Sequence, residues 1–297
     1  MSNKNPDISV LLPAYNCEKY IGEAIDSILN QSFSDFELII INDCSTDNTD
    51  DVIKKFLYDK RIRYYINSEN LQLVKTLNKG LELCRGKYIA RMDADDIAFP
   101  SRLMQQIIFL ESNNDYVLIG TEYVTFGAKS RYIRLPHSDV DCRSAMLTCS
   151  PFCHPSTMFR REIIDKYNLK YDTNYMHAED YKFFSELAKR GKVANIGSVL
   201  LKYRVHDNQI TKKYANEQMD VRLKIIHENN GIHTIDMHLF LKRNILKGVV
   251  TEYFMKGYLE LLIYYNTSCS LPFLQTLCIK SGFIDFIKFL IKKIAKK

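Results

Sequence analysis

Repeatedly through the N-terminal third, a short β-branched or apolar run gives way to a polar turn and then to apolar residues at helical spacing. This alternation limits the fold more than any other feature. Residues 8–12 form one such run, ended by Pro13; residues 36–41, 62–66 and 87–92 form three more. Between them, Tyr20, Ile21, Ala24, Ile25, Ile28 and Leu29 recur at helical spacing behind Asn16, a candidate cap. Further helices are expected through Phe56 and over 74–84. Strand alternating with helix predicts a parallel, doubly wound α/β sheet. In such sheets ligands bind beyond the carboxyl ends of the strands. That rule gathers Pro13, Ala14 and Tyr15, then Asp43, then Asp93-Ala94-Asp95-Asp96 onto one edge.

That edge lacks a phosphate-binding glycine loop. Neither G-x-G-x-x-G nor G-x-x-x-x-G-K-[ST] occurs, which argues against dinucleotide oxidoreductases and P-loop NTPases. The acidic run is the alternative handle. Three carboxylates where a strand enters a loop repel one another unless a cation or hydrogen-bond donors hold them. Their hard oxygens suit Mg²⁺ or Mn²⁺. A bare D-x-D is equally compatible with surface acids or a helix cap, so its spacing alone leaves both readings open.

Beyond the acids the pattern predicts a helix over 102–110, a strand or strand pair over 116–126, and loops over 135–155 around a helix at 139–149. Met176-His177-Ala178-Glu179-Asp180-Tyr181 opens another helix, where acids in the first turn also suit the dipole. A strand over 193–203 then ends at Arg204-Val205-His206. From about residue 215 the alternation stops and the pattern is helical with lysine-rich gaps. Near the C-terminus Phe283, Ile284, Phe286, Ile287, Leu290, Ile291 and Ile294 fall on one helical face, with Lys288, Lys292 and Lys296 opposite and Phe289 breaking the pattern. A helix of this type either lies on an anionic membrane surface or packs on the domain.

The 297 residues suffice for a full core, and 46% hydrophobic with 26% charged residues is ordinary for a globular chain. Much of the +6 net charge comes from lysines near the C-terminus, so no nucleic-acid groove is implied. The first residues lack the apolar core of a signal peptide, and no apolar run is long enough to span a bilayer. The 8 cysteines contain no C-x-x-C pair; Cys149, Cys153 and His154 cluster without the second ligand pair of a zinc site. Reduced thiols are expected, in a cytoplasmic protein peripheral to the inner face of the plasma membrane.

Taken together in order, Pro13-Ala14-Tyr15-Asn16, Asn42-Asp43-Cys44-Ser45-Thr46-Asp47, Asn78-Lys79-Gly80 and Ala90-Arg91-Met92-Asp93-Ala94-Asp95-Asp96-Ile97 resemble the signature of family 2 glycosyltransferases. His154-Pro155-Ser156, Ala178-Glu179-Asp180-Tyr181 and Tyr203-Arg204-Val205-His206 extend the resemblance, which covers roughly residues 7–210. It implies a GT-A type doubly wound, mainly parallel α/β sheet with a helical C-terminal extension. It further implies a nucleotide-sugar donor (a UDP-sugar), Mn²⁺ or Mg²⁺, and inversion at the anomeric carbon. On this resemblance residues 1–105 form the nucleotide-sugar half, 106–214 the acceptor half, and 215–297 the extension. Pro13, Ala14, Tyr15, Asp43, Lys75, Arg91 and Asp93 would bind the nucleotide sugar; Asp95 and His206 would hold the metal; Asp180 would be the general base. The acceptor would be a saccharide or lipid-linked saccharide in cell-surface polysaccharide synthesis, with oligomeric state left open.

Some positions depart from the pattern. Asn42 stands where an acid is common, Cys44 and Gln72 replace frequent glycines, and the Q-x-x-R-W of processive synthases is missing, the chain having no Trp. Single-residue transfer is therefore expected. Two other functions compete: a D-x-D phosphotransferase, whose motif would follow the first strand, and a membrane-docked, non-catalytic glycan-assembly module.

Overall fold

The structure is a computed structural model that describes residues 5–206 and 214–230. In chain order the elements are β1 (Ile8–Ala14), α1 (Ile21–Leu29), β2 (Phe36–Asn42), α2 (Thr49–Lys54), β3 (Ile62–Ile66), α3 (Gln72–Leu83), β4 (Tyr88–Arg91), β5 (Ile97–Ala98) and α4 (Arg102–Ser112). There follow β6 (Tyr116–Gly127), β7 (Arg131–Ile133), α5 (Asp139–Ala145), β8 (Met158–Arg160), α6 (Arg161–Tyr167), α7 (Glu179–Ala188), β9 (Lys192–Val205) and α8 (Ala215–Asn230).

One sheet carries the molecule, in the order β3-β2-β1-β4-β8-β6-β9-β5, with β7 paired to β6. The first four strands are parallel neighbours, as the alternation predicts. β8 joins antiparallel between β4 and β6, and β6 and β9 run parallel to each other. Both β1 and β2 are buried along their whole length, because helices cover both faces. Ile8, Val10 and Leu12 pack with Ile21, Ala24, Ile25 and Ile28 of α1 in one core cluster. Leu11, Ile39, Ile41 and Ile89 point the other way, against Val74, Leu77 and Leu81 of α3 and Phe183, Phe184 and Leu187 of α7. The period-two split of one strand between two cores is what a doubly wound sheet demands.

Gly80 lets α3 close on β1: a Cβ there would lie 2.2 Å from Leu11 Cδ1. Across the molecule, Asn78 of α3 clamps the Tyr171 backbone, accepting from its N–H at 2.8 Å and donating to its carbonyl at 2.8 Å. That pair ties the nucleotide-side helix to the segment leading into α7.

One expected detail is different. Asn16 does not cap α1, which begins at Ile21 without a side-chain cap. Asn16 instead adopts a left-handed backbone, φ 47°, and its Oδ1 accepts from the Thr46 N–H at 2.8 Å while its own N–H donates to Ser45 Oγ at 3.0 Å. Short polar side chains tolerate this conformation, and the result stitches the loop after β1 to the loop after β2. The basic amphipathic pattern over 283–294 lies outside the described residues. Among the described residues, no helix is long and apolar enough to cross a membrane.

Candidate active site

The strand-end loops of β1, β2 and β4 converge where the sequence places its polar residues. Pro13 and Ala14 are buried at the end of β1, while Tyr15 is 49% exposed. At the end of β2, Asp43 is buried. Its Oδ1 accepts from Asn67 Nδ2 at 2.7 Å and from the Leu71 N–H at 2.8 Å. Lys79 Nζ donates to Asn67 Oδ1 at 2.6 Å, and Asn67 also donates to Thr76 Oγ1 at 3.1 Å. The Asp43 carboxylate is therefore fixed in direction by a three-residue relay. Lys75, one turn earlier on α3, is exposed.

β4 ends very differently. One carboxylate oxygen each from Asp93, Asp95 and Asp96 lies within 4.8 Å of the others. Beneath them Arg91 is almost completely buried, donating to Asp93 Oδ1 at 2.6 Å and to the Met92 carbonyl. The structure thus sets Arg91 under the cluster as its counter-charge rather than on an open nucleotide surface. Arg102, also buried, donates to the Arg91 carbonyl at 2.6 Å from below. Asp95 Oδ2 is 2.9 Å from His206 Nε2, at the end of β9. Asp96 Oδ1 accepts the Arg204 N–H at 2.8 Å, and its Oδ2 is buried with no partner among the described residues.

Electrostatics follow from this packing. Burial, reinforced by the Asp93 charge, pushes the Asp95 carboxyl above the usual range despite His206. Burial together with Asp93 and Asp95 raises Asp96 further. Like charges in a desolvated cluster favour neutralisation by a proton or a cation. The donor set fits a hard divalent ion: three clustered carboxylates, one with an orphaned buried oxygen, and an imidazole beside them.

Glu179 and Asp180 open α7. The preceding His177 has φ 71°; it stacks on Tyr214 with ring centroids 4.2 Å apart, and its carbonyl accepts from Gln218 of α8 at 2.8 Å. α8 also fastens α7 through Lys182 and Glu228, 2.8 Å apart. Asp180 Oδ1 accepts the Tyr181 N–H at 2.7 Å. Burial raises the Asp180 carboxyl to about 6, with the Tyr181 amide and Arg91 pulling it back and Asp93 adding to the rise. Asp180 therefore feels both residues of the Arg91–Asp93 pair, although 87 positions separate it from Asp93 in the chain. Burial and the Asp180 charge raise Glu179 to about 7. His154 faces Tyr171, its Nε2 3.0 Å from the hydroxyl, so it belongs to the packing behind this site and not to a Cys149–Cys153 metal centre.

Residues 9–168 match the family described as glycosyl transferase family 2. The chain belongs to this family. A Haemophilus influenzae protein named as an uncharacterized glycosyltransferase is 35% identical over 84% of this chain and 86% of its own length. The O-antigen biosynthesis glycosyltransferase WbnJ of Escherichia coli is 32% identical over 70% of this chain and 83% of its own. Among solved structures, S. aureus TarS 1-349 in complex with UDP-GlcNAc superposes with a TM-score of 0.65 at 18% identity, covering 80% of this chain and 72% of that one. The mannosyltransferase PcManGT of Pyrobaculum calidifontis, in complex with GDP-Man and Mn²⁺, superposes with a TM-score of 0.62 at 15% identity over 93% and 79%. Of the longer TarS chain, the present chain spans 43%.

The protein is thus a glycosyltransferase with the GT-A type α/β fold, and the phosphotransferase alternative falls away. Three residues of the site's framework escaped sequence reasoning: Asn67, Lys79 and the side chain of Arg204. Asn67 had a usable signal, since it directly follows β3 and the strand-end rule applies to it as much as to Asp43. Lys79 and Arg204 lie within the family-like motifs, where spacing carries no sign of what they touch.

Proposed function

We propose that this glycosyltransferase moves one sugar from a UDP-sugar to a hydroxyl of a saccharide or lipid-linked saccharide, with inversion and with a divalent cation. The observation that carries this reading is the convergence of an under-neutralised acidic triplet and a buried carboxyl raised to about 6 on one Arg91-centred site. The UDP-GlcNAc complex of the TarS neighbour and the O-antigen role named for WbnJ support the donor and acceptor classes. The Mn²⁺ of the PcManGT complex supports the metal.

Asp43, aimed by Asn67, would accept a hydrogen bond from the nucleotide base, with Tyr15 and the Pro13-Ala14 backbone beside it. Asp95 and His206 would hold the cation, and Asp93 would contact the ribose or metal region. A bound divalent ion supplies Lewis-acid neutralisation of the charge that grows on the leaving diphosphate oxygens. Asp180 would take the acceptor's proton as the acceptor oxygen attacks the anomeric carbon. The new carbon–oxygen bond forms as the bond to the diphosphate breaks, and the electron pair leaves with the nucleoside diphosphate. A single displacement of this kind needs one base and no covalent nucleophile, so it inverts the centre. Lysine excess near the C-terminus supports an acceptor presented at an anionic lipid surface.

A panel of UDP-, GDP- and dTDP-sugars, each with Mn²⁺ or Mg²⁺, tests the proposal by thermal stabilisation and donor hydrolysis. At a hundredfold excess over Kd the true donor stabilises the folded state by ~2.7 kcal/mol. A UDP-sugar should stand out only when metal is present. Equal stabilisation without metal, or none from any UDP-sugar, contradicts it.

A further inference from the structure

Asp95 and His206 are separated by 111 positions yet lie 2.9 Å apart. Two ligands from distant segments serve one cation well only if the protein, and not the cation, holds them together, because ordering loose segments on binding costs affinity. The structure contains a device for this. β5 pairs antiparallel with β9 through Ile97 with Lys202 and Ala98 with Leu201. Just beyond that ladder, two hydrogen bonds involving side chains continue the connection. The Arg204 N–H donates to Asp96 Oδ1 at 2.8 Å, and Arg204 Nε donates to the Asp95 carbonyl at 2.7 Å.

Arg204 is itself held rigid. Its guanidinium lies 4.4 Å from the Tyr20 ring centroid and 4.4 Å from that of Phe126, and pairs with Glu23 at 2.6 Å. The plane of the fork is thereby set by α1, the end of β6 and an ion pair, geometry that a lysine does not reproduce. The Tyr20 ring also lies 5.4 Å from the His206 ring. One arginine thus links the loop carrying Asp95 to the strand end carrying His206.

We propose that Arg204 and Asp96 form a positioning pair that presets Asp95 and His206 for the divalent cation. The proposal rests on the reading of those two residues as metal donors. It gives Asp96 a task distinct from that of its neighbours: Oδ1 anchors the loop to β9.

The test measures Mn²⁺ binding to the full chain at saturating UDP, by the free-Mn²⁺ paramagnetic resonance signal, for wild type, Arg204→Lys, Asp96→Ala and the double variant. Each single change should weaken Mn²⁺ about tenfold. Arg204→Lys removes the Nε bond to the Asp95 carbonyl, and Asp96→Ala removes the acceptor of the Arg204 N–H. Because both bonds hold the same loop to β9, the double variant should be no worse than the poorer single one. UDP binding measured without metal should be unmoved. Should Asp96→Ala fail to fold, Asp96→Asn carries the cycle with a smaller expected loss. Wild-type Mn²⁺ affinity in both single variants, or losses that simply add, overturns the positioning pair. Asp95→Ala serves as the separate control: if it binds Mn²⁺ as wild type does, the underlying reading of the metal site has failed instead.

Discussion

The carboxyl ends of β2 and β4 lie two strands apart on one sheet edge and treat their acids in opposite ways. At β2 a single buried carboxylate is held through one oxygen: Asn67 and the Leu71 amide donate to Asp43 Oδ1, and Lys79 fixes Asn67. At β4 three acids crowd within 4.8 Å, one oxygen of Asp96 has no partner among the described residues, and burial drives Asp95 and Asp96 upward. The first arrangement is directional, one oxygen fixed by protein donors, and suited to reading a neutral donor group on a ligand with the other. The second carries an excess of negative charge that the protein offsets only in part, with Arg91 and an amide. An unbalanced cluster costs stability unless something neutralises it, so the contrast separates a hydrogen-bonding site from a cation site without reference to either ligand.

Paired substitutions sharpen that contrast. Asp95→Ala should abolish the metal-dependent part of UDP binding and leave the weak metal-free part intact, as read by calorimetry with and without Mn²⁺. Asp43→Asn should weaken UDP about tenfold under both conditions, the scale of one charge-assisted hydrogen bond. If both variants lost only the metal-dependent part, the two strand ends would not be distinct sites.

A smaller effect comes from pH. The Asp180 carboxyl is raised to about 6, burial being the main cause. A general base must be ionised, so turnover should be flat above that value and fall about tenfold per unit below it as the carboxylate takes up its proton. A turnover that rises on acidification through this window would reverse the assigned role.

Much of this was legible in the chain because strand ends in a parallel sheet are ligand positions, and the residues at 13–15, 43 and 93–96 could be placed there from hydrophobic periodicity alone. The separation of Asp93, Asp95 and Asp96 into counter-charged, His206-bonded and β9-anchored acids was not legible. It depends on Arg91, Arg204 and His206 reaching them, and spacing carries no record of side-chain direction. Asn16 shows the same limit on a local scale: a cap-forming residue followed by a helical pattern looked like a cap, yet contacts with Ser45 and Thr46 drew it into a left-handed turn. The approach of Asp180 to the Arg91–Asp93 pair was the least accessible feature, since it requires β8 to insert beside β4 and Asn78 to clamp Tyr171 ahead of α7.

The central claim is that Asp180 supplies the chemistry while the edge of β2 and β4 supplies the binding. The most direct measurement is Asp180→Asn, assayed for UDP-sugar binding with Mn²⁺ and for sugar transfer in the same preparation. Binding within about twofold of wild type, with transfer reduced ~10²- to 10⁴-fold, is the predicted result. Transfer at the wild-type rate would contradict it.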